Sequence, residues 1–355
     1  MNTFKKVLNH LFIDGLSAMA TGLFATLIVG TILSQISTFI PSGKASTLLF
    51  TAGKVASLLT GAGIGCAVAS RYKSSPLVTV SAAVCGMVGA YASQILGGNI
   101  VSGNSFSINA PGEPLGAFVA SYIGILVGSL VSGKTKVDII VTPIVTILVG
   151  CVAGLFVGPP ISSFMSYLGS LVNWGTQQQP FLMGIVVSVL MGIFLTLPIS
   201  SAAIGVSLGL SGIAAGAATV GCCANMVGFA VASYRENKVG GLLSQGLGTS
   251  MLQMPNIVKK PLIWLPAIIT SAILGPLSTM VFKMESNPVG SGMGTAGLVG
   301  PIMSFQTMSA SMPPTVAMIY NLTMYFVLPA IISLSISEAM RKCKLISFGD
   351  MSLRS

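Results

Sequence analysis

The sequence predicts an all-α, polytopic membrane protein with about nine or ten transmembrane helices and two re-entrant hairpin segments. Only 7% of the 355 residues are charged and 53% are hydrophobic, whereas a soluble domain carries roughly a quarter charged residues. The few charges lie between apolar runs, and runs such as 15–40 and 139–157 can cross a hydrocarbon core, which takes about 20 mostly apolar residues. The lipid bilayer is therefore the solvent for most of this chain.

The positive charges predict the orientation of the chain in the membrane. When the apolar runs are taken as alternate crossings, fourteen of the seventeen lysines and arginines fall on one side, and only Lys44, Lys54 and Lys283 fall on the other. The positive-inside rule then places both termini of a multi-pass membrane protein in the cytoplasm. This topology accounts for the net charge of +10, so we expect no nucleic-acid partner.

The first half of the chain has a regular pattern of crossings. An outer loop is predicted at 97–114, and an interfacial helix with one apolar face at about 161–172. The predicted crossings up to the middle of the chain are 16–40, 51–70, 77–96, 114–132, 138–158 and 181–199.

The second half is less regular. Residues 203–231 are too long for one straight helix and predict two short helices, interrupted at 221–225. The glycine-rich stretches 240–256 and 291–304 predict re-entrant segments. Non-helical chain at membrane depth must be buried in protein or line a wet cavity, and interrupted helices aim free backbone groups at ligands. We therefore expect the functional site between about 200 and 310. Two further crossings at 262–281 and 313–336 and a cytoplasmic tail at 338–355 complete the chain.

The first re-entrant segment holds the best candidates for substrate binding. Its uncharged hydrogen-bonding side chains, packed among glycines, are Thr249, Ser250, Gln253 and Asn256, and Asn225 is a further candidate by the same reasoning. Such side chains can hold the hydroxyls or amides of a small polar solute without burying a charge. The alternative is that they satisfy the backbone of the re-entrant segment itself.

Glu113 stands at the outer start of a predicted crossing, directly before Pro114. It is either a functional acid near membrane depth, acting as a gate or a cation partner, or a helix N-terminal charge favoured by the macrodipole. The only histidine, His10, lies in the N-terminal lead-in and is interpreted as an interfacial residue. No Walker A motif is present and the six cysteines lack ligand spacing, so we expect no catalytic residue, metal or cofactor.

Residues 257–266 (IVKKPLIWLP) resemble a segment of the membrane subunit, IIC, of the sugar phosphotransferase system, in the glucose–chitobiose superfamily. The whole chain is similar to a branch of IIC-like proteins that includes the perfringolysin O regulators. The resemblance implies an IIC-like fold and a homodimer. It also implies alternating access, in which a transport domain at 181–337 moves as a rigid body against a scaffold and dimerisation region at 1–180.

The chain departs from the family at two functional positions. Transporters of the family carry a substrate-binding glutamate that falls near Thr249 and a histidine near the site, but here no acid lies between Glu236 and Glu285. Transfer of a phosphate to a sugar hydroxyl is normally assisted by such groups. The sequence therefore favours a permease for a small polar solute, a sugar or related compound, without phosphorylation by this chain. The alternatives are a ligand-sensing membrane regulator acting through a cytoplasmic partner, contacted by 338–355, and an IIC subunit working with separate IIA and IIB proteins.

Overall fold

The computed structural model describes residues 14–41, 43–98, 100–102, 105–108 and 112–353. Their architecture confirms the predicted all-helical, polytopic class; the one sheet among them is a two-stranded antiparallel ladder of Val101–Ser102 with Ser105–Phe106. The chain forms two compact units, Met1–Ser166 and Tyr167–Ser355.

The first unit is built from helices joined by short connections, except for residues 97–113 between the sixth and the seventh helix, which include the two-stranded ladder. The π-helical turn Phe24–Ile28 joins the first two, and the eighth continues past the end of this unit. These helices are α1 (Leu16–Leu23), α2 (Val29–Phe39), α3 (Lys44–Leu58), α4 (Thr60–Arg71), α5 (Pro76–Ala90), α6 (Ala92–Leu96), α7 (Pro114–Val131) and α8 (Asp138–Thr176).

Within the described residues, six helical stretches are long and apolar enough to cross a membrane: Leu16–Ser37, Pro114–Val131, Asp138–Thr176, Gly212–Ala232, Pro261–Val281 and Pro314–Lys342. The helices α3 and α4 pass the same test together but are bent by 58° at Leu59, where one straight crossing was predicted over 51–70. Two further apolar helices, α5 and Pro180–Thr196, are shorter. The chain is therefore a multi-pass membrane protein.

Residues 161–172 belong to α8, a single helix of 39 residues. Pro143, Pro159 and Pro160 lie inside this helix, and prolines are tolerated in transmembrane helices where neighbouring groups satisfy the freed carbonyls. The predicted crossing at 138–158 and the predicted interfacial helix are thus parts of one continuous element. The location of 161–172 at the membrane surface stays a prediction.

The second unit contains shorter and more interrupted helices. Turns of 3₁₀ helix (Ser250–Gln253, Pro261–Trp264 and Ala296–Leu298) and of π-helix (Ser244–Gly248, Leu277–Val281 and Thr323–Val327) separate them. The helices are α9 (Pro180–Thr196), α10 (Ser201–Ser207), α11 (Gly212–Ala232), α12 (Tyr234–Leu243), α13 (Met254–Lys259), α14 (Leu265–Pro276), α15 (Pro288–Ser291), α16 (Val299–Met308), α17 (Pro314–Leu322) and α18 (Leu328–Lys342).

Helices α9, α11 and α14 form the tightly packed centre of this unit. A Cβ added at Gly184 of α9 would lie 2.7 Å from the backbone of Gly275 in α14, and the backbone of Gly221 in α11 lies against that of Ser188 in α9. Small residues permit such close approach of helix backbones in membranes. The three helices therefore pack closely against one another.

The predicted interruption of the chain at 221–225 was wrong. Helix α11 runs unbroken through these residues, and the chain breaks at 208–211, between α10 and α11, where Gly209 and Gly212 have positive φ values of 60° and 58°. The glycine at 221 is explained by the contact with Ser188 and not by a turn. Gly221 therefore indicates a close contact between two helices and not an interruption of one helix.

Residues 240–256 are broken into short pieces, and their re-entrant course in the membrane stays a prediction. The end of α12 passes into the π-helical turn Ser244–Gly248, then Thr249 is fully extended, and Ser250–Gln253 and α13 follow. We call residues 244–259 the polar hairpin. A hydrogen bond from the Thr295 hydroxyl to the Gly246 carbonyl connects the polar hairpin to the second broken stretch, 291–304.

Candidate functional site

Asn225, on α11, is the centre of a buried polar cluster in the second unit. Its Oδ1 accepts hydrogen bonds from the indole N–H of Trp264 at 2.8 Å and from the hydroxyl of Thr196 at 3.2 Å. Its Nδ2 donates to the Ser271 hydroxyl at 3.2 Å, and its side chain is 0% exposed. Because a buried amide needs partners at both ends, these contacts fix its orientation.

The hydroxyl of Thr196 connects Asn225 to the polar hairpin. It lies 2.8 Å from the hydroxyl of Ser250, which is fully buried on the 3₁₀ turn. Thr196 has a single hydroxyl hydrogen, which is shared between Asn225 Oδ1 and the Gly192 carbonyl, both at 3.2 Å, and its oxygen is free to accept from Ser250. We call Thr196, Asn225, Ser250, Trp264 and Ser271 the asparagine cluster.

Three amide side chains form a second group, the amide cluster of Gln245, Gln253 and Asn256. The Nε2 of Gln253 donates to Oε1 of Gln245 at 2.8 Å, and its Oε1 accepts from Nδ2 of Asn256 at 2.9 Å. Gln253 and Asn256 also donate to backbone carbonyls of the C-terminal residues Met351 and Ser352. The amide cluster thus makes hydrogen bonds both within the hairpin and with the last residues of the described chain.

Thr249 has a local contact in this structure. Its hydroxyl accepts a hydrogen bond from the backbone N–H of Met251 at 3.2 Å, which caps the 3₁₀ turn that begins at Ser250. The side chain is 4% exposed. Of the predicted residues, Thr249 is the one whose contact matches the structural alternative, in which the side chain satisfies the hairpin backbone.

Glu113 belongs to the first unit, whereas the other five predicted residues belong to the second. It precedes Pro114 at the start of α7, and its backbone N–H donates to the carbonyl of Ala90 at 2.8 Å. Of the predicted outer loop, residues 99, 103–104 and 109–111 lie outside the described residues, as does His10. The role of Glu113 as a gate or cation partner stays a prediction.

The asparagine cluster is chemically neutral. It offers two serine hydroxyls, a threonine hydroxyl, a carboxamide and an indole N–H, a set that can donate and accept but holds no ionisable group. Such groups match the hydroxyls of an uncharged polar solute without the cost of a buried charge. A cavity of about 260 Å³ beside α11 includes none of the predicted residues; it is lined by Val227, Ala230, Val231, Leu242, Leu243, Gly246, Leu247 and Phe326.

Sequence reasoning missed Thr196, Ser271 and Trp264 as members of this site. Trp264 had a usable signal, because a tryptophan next to an apolar run must find a partner for its indole N–H when it is buried. Thr196 and Ser271 had none, since hydroxyls in membrane helices commonly bond the carbonyl four residues earlier, as both also do here.

The comparisons agree with the membrane architecture described above. The family described as phosphotransferase system, EIIC matches residues 13–353. No curated protein matches the chain. The match spans both units and the whole of the asparagine and amide clusters, and on this ground the chain belongs to the phosphotransferase system EIIC family.

Proposed function

We propose that the protein is a IIC-type permease that binds a small polar solute, a sugar or a related compound, at the asparagine cluster. The observation that carries this proposal is the buried side chain of Asn225, which joins Thr196, Trp264 and Ser271 from three separate elements. Polar groups deep in a membrane protein are costly and mark functional sites by default. An amide and hydroxyls that now bond each other can exchange these bonds for the hydroxyls of a solute.

We propose alternating access by rigid-body movement of the transport domain, and within that domain the packing around the cluster supports a local opening of the polar hairpin. Asn225 and Thr196 lie on α11 and α9, which pack closely through glycines, whereas Ser250 lies on a short turn after the extended residue Thr249. Short, interrupted segments are cheaper to move than packed helices. In this mechanism the polar hairpin moves, the Thr196–Ser250 bond opens, and the present structure is a state in which the cluster is closed on itself.

The absence of an acid and a histidine from both clusters supports transport without phosphorylation by this chain. Thr249 stands near the position of the family's glutamate, and its hydroxyl cannot act as a general base at neutral pH. Membership in the family favours cytoplasmic phosphotransferase subunits as partners. We further propose a transport domain at 181–337 and a homodimeric scaffold at 1–180, in a bacterial plasma membrane with both termini cytoplasmic.

Replacing Thr196 with valine tests the site. The change keeps the side-chain shape but removes the hydroxyl that links Asn225 to Ser250, and one lost hydrogen bond of about 0.5–1.5 kcal/mol weakens solute binding by about 2- to 12-fold. The measurement is a thermal-shift titration in detergent with sugars, sugar phosphates and nucleosides, because ligand binding raises the unfolding temperature.

The matched control is Thr270→Val. Thr270 is also fully buried and also donates to the carbonyl four residues earlier, but it belongs to neither cluster. A compound that stabilises the parent and both variants equally places the site elsewhere. A compound that loses affinity only in Thr196→Val supports the proposal, and its chemistry then gives the solute for uptake measurements in proteoliposomes.

A ligand-sensing regulator is the second candidate function, and one observation favours it. The amide cluster bonds directly to the C-terminal residues Met351 and Ser352, so a change in the hairpin is passed to the end of the described chain. A protein that binds solute in the titration but transports none in proteoliposomes would favour the sensor.

A further inference from the structure

The C-terminal residues 344–353 fold back onto the polar hairpin. They follow α18, which ends at Lys342, and they form no regular element. Even so, Ile346 is 2% exposed and Met351 is 0% exposed. A segment that buries two large apolar side chains is docked as part of the folded unit.

The hairpin and its neighbour α12 hold the backbone of this segment through amide side chains. The Met351 carbonyl accepts from Gln253 at 2.9 Å and from Asn237 at 2.8 Å. Asn256 donates to the Ser352 carbonyl at 2.9 Å, and the N–H of Leu353 donates to Asn237 at 2.8 Å. Because these contacts use backbone atoms, they depend on the position of the segment more than on its side chains.

Two ion pairs flank these hydrogen bonds. Lys260 pairs with Asp350, and Arg341 pairs with Glu236, which also accepts the N–H of Gly349. Burial raises the pKa of Asp350, but the hydrogen bond and charge of Lys260, with the Ser347 N–H and the charge of Arg341, outweigh it and hold the pKa below its ordinary value. The Asp350 carboxylate is therefore ionised and paired throughout the neutral pH range.

We propose that residues 344–353 are a latch that holds the polar hairpin in its present position. Gln253 is shared between Gln245, Asn256 and the latch. Movement of the hairpin away from a docked latch would break the hydrogen bonds from Gln253 and Asn256 to the latch carbonyls, and losing such bonds at buried groups is unfavourable. The hairpin can therefore move only with the latch or after the latch is released, and release frees Gln253 and Asn256 to bind other groups.

The consequence for solute binding rests on the proposed function, but the latch itself is tested without a solute. We compare amide hydrogen exchange in the full chain and in a variant that ends at Cys343. The amides of 244–259 are expected to exchange at least about tenfold faster in the shortened chain, because local opening of the hairpin no longer breaks contacts to the latch. The amides of α14, which shares none of the hydrogen bonds and ion pairs described above for the latch, should keep their rates.

Two further variants separate the latch from general loss of structure. Asp350→Asn removes the ion pair with Lys260 while keeping the whole segment, and it should raise exchange of the hairpin in the same direction but less, by about threefold. Glu338→Gln breaks the exposed pair with Arg235, outside the latch, and should leave the hairpin unchanged. Unchanged exchange of 244–259 in the shortened chain would overturn the proposal.

A peptide of residues 344–353 (KLISFGDMSL), added to the shortened chain, provides the converse test. It should restore slow exchange in 244–259, whereas a scrambled peptide should not; equal effects of the two peptides would contradict a specific latch. A failure of the sugar screen with fast exchange in the shortened chain would leave the latch standing and remove the proposed solute. Binding of a solute together with unchanged exchange of 244–259 in the shortened chain would support the proposed solute and remove the latch.

Discussion

Replacing Gly221 with alanine is expected to destabilise the protein by about 3 kcal/mol or more. The new Cβ would collide with the backbone carbonyl of Ser188 on the neighbouring helix α9. A side chain can rotate away from such a collision, but a helix backbone cannot, so α9 and α11 must separate. Overpacking of a close-packed interior typically costs about 1–3 kcal/mol, and more when nothing can yield.

The measurement is the unfolding midpoint of the purified protein in detergent, with Gly240→Ala as the control. Gly240 also lies in a helix, but it is exposed, and a Cβ there meets no atom. The control should change the free energy of unfolding by less than about 1 kcal/mol. Since Thr196 and Asn225 lie on the two helices forced apart, the Gly221 variant should also lose any ligand-induced shift. Equal midpoints for the two variants would show that α9 and α11 do not pack this closely.

Replacing Arg341 with methionine is expected to cost about 3–5 kcal/mol, because it leaves the carboxylate of Glu236 buried without its partner. The side chains of the pair are 8% and 2% exposed, and the distance between Arg341 Nη2 and Glu236 Oε1 is 2.8 Å. Arg341 also donates to the Ala232 carbonyl at the end of α11. Its loss therefore removes a link between α18 and the central helices as well as a charge pair.

The control for this variant is Arg235→Met, the adjacent pair with Glu338. The nitrogen–oxygen distance is the same, 2.8 Å, but these side chains are 62% and 30% exposed, and exposed pairs contribute only about 0–1 kcal/mol. The double variant Glu236→Gln with Arg341→Met should recover much of the loss, since it removes the uncompensated charge. Similar unfolding midpoints for both single variants would contradict the burial of the Arg341–Glu236 pair.

The broken character of the polar hairpin could be predicted from the sequence, because glycines and hydrogen-bonding residues interrupt an apolar pattern there. The membrane class was equally accessible, since it depends on composition. The break assigned to 221–225 was wrong for a physical reason: a glycine that admits a neighbouring backbone, as Gly221 admits Ser188, has the same local sequence signal as a glycine in a turn.

The partners of the predicted site residues could not be predicted. Asn225 and Ser250 are joined through Thr196, which is a contact between elements far apart in the sequence. Gln253 and Asn256 bond the carbonyls of Met351 and Ser352, and every residue has a carbonyl, so no residue type signals the contact. The sequence could therefore identify side chains that need partners but not which atoms serve them.

The helices α11 and α8 are both apolar, yet their surroundings differ: 89% of the most apolar stretch of α11 is buried in protein, against 22% for α8. The two helices should therefore tolerate different substitutions. In a saturation mutagenesis of both, scored by a reporter of folded protein, α11 should reject changes in side-chain volume, including exchanges between hydrophobic residues. Helix α8 should accept most hydrophobic exchanges and reject charges. The same hydrophobic composition would then serve close packing in α11, and contact with lipid or with a second copy of the chain in α8.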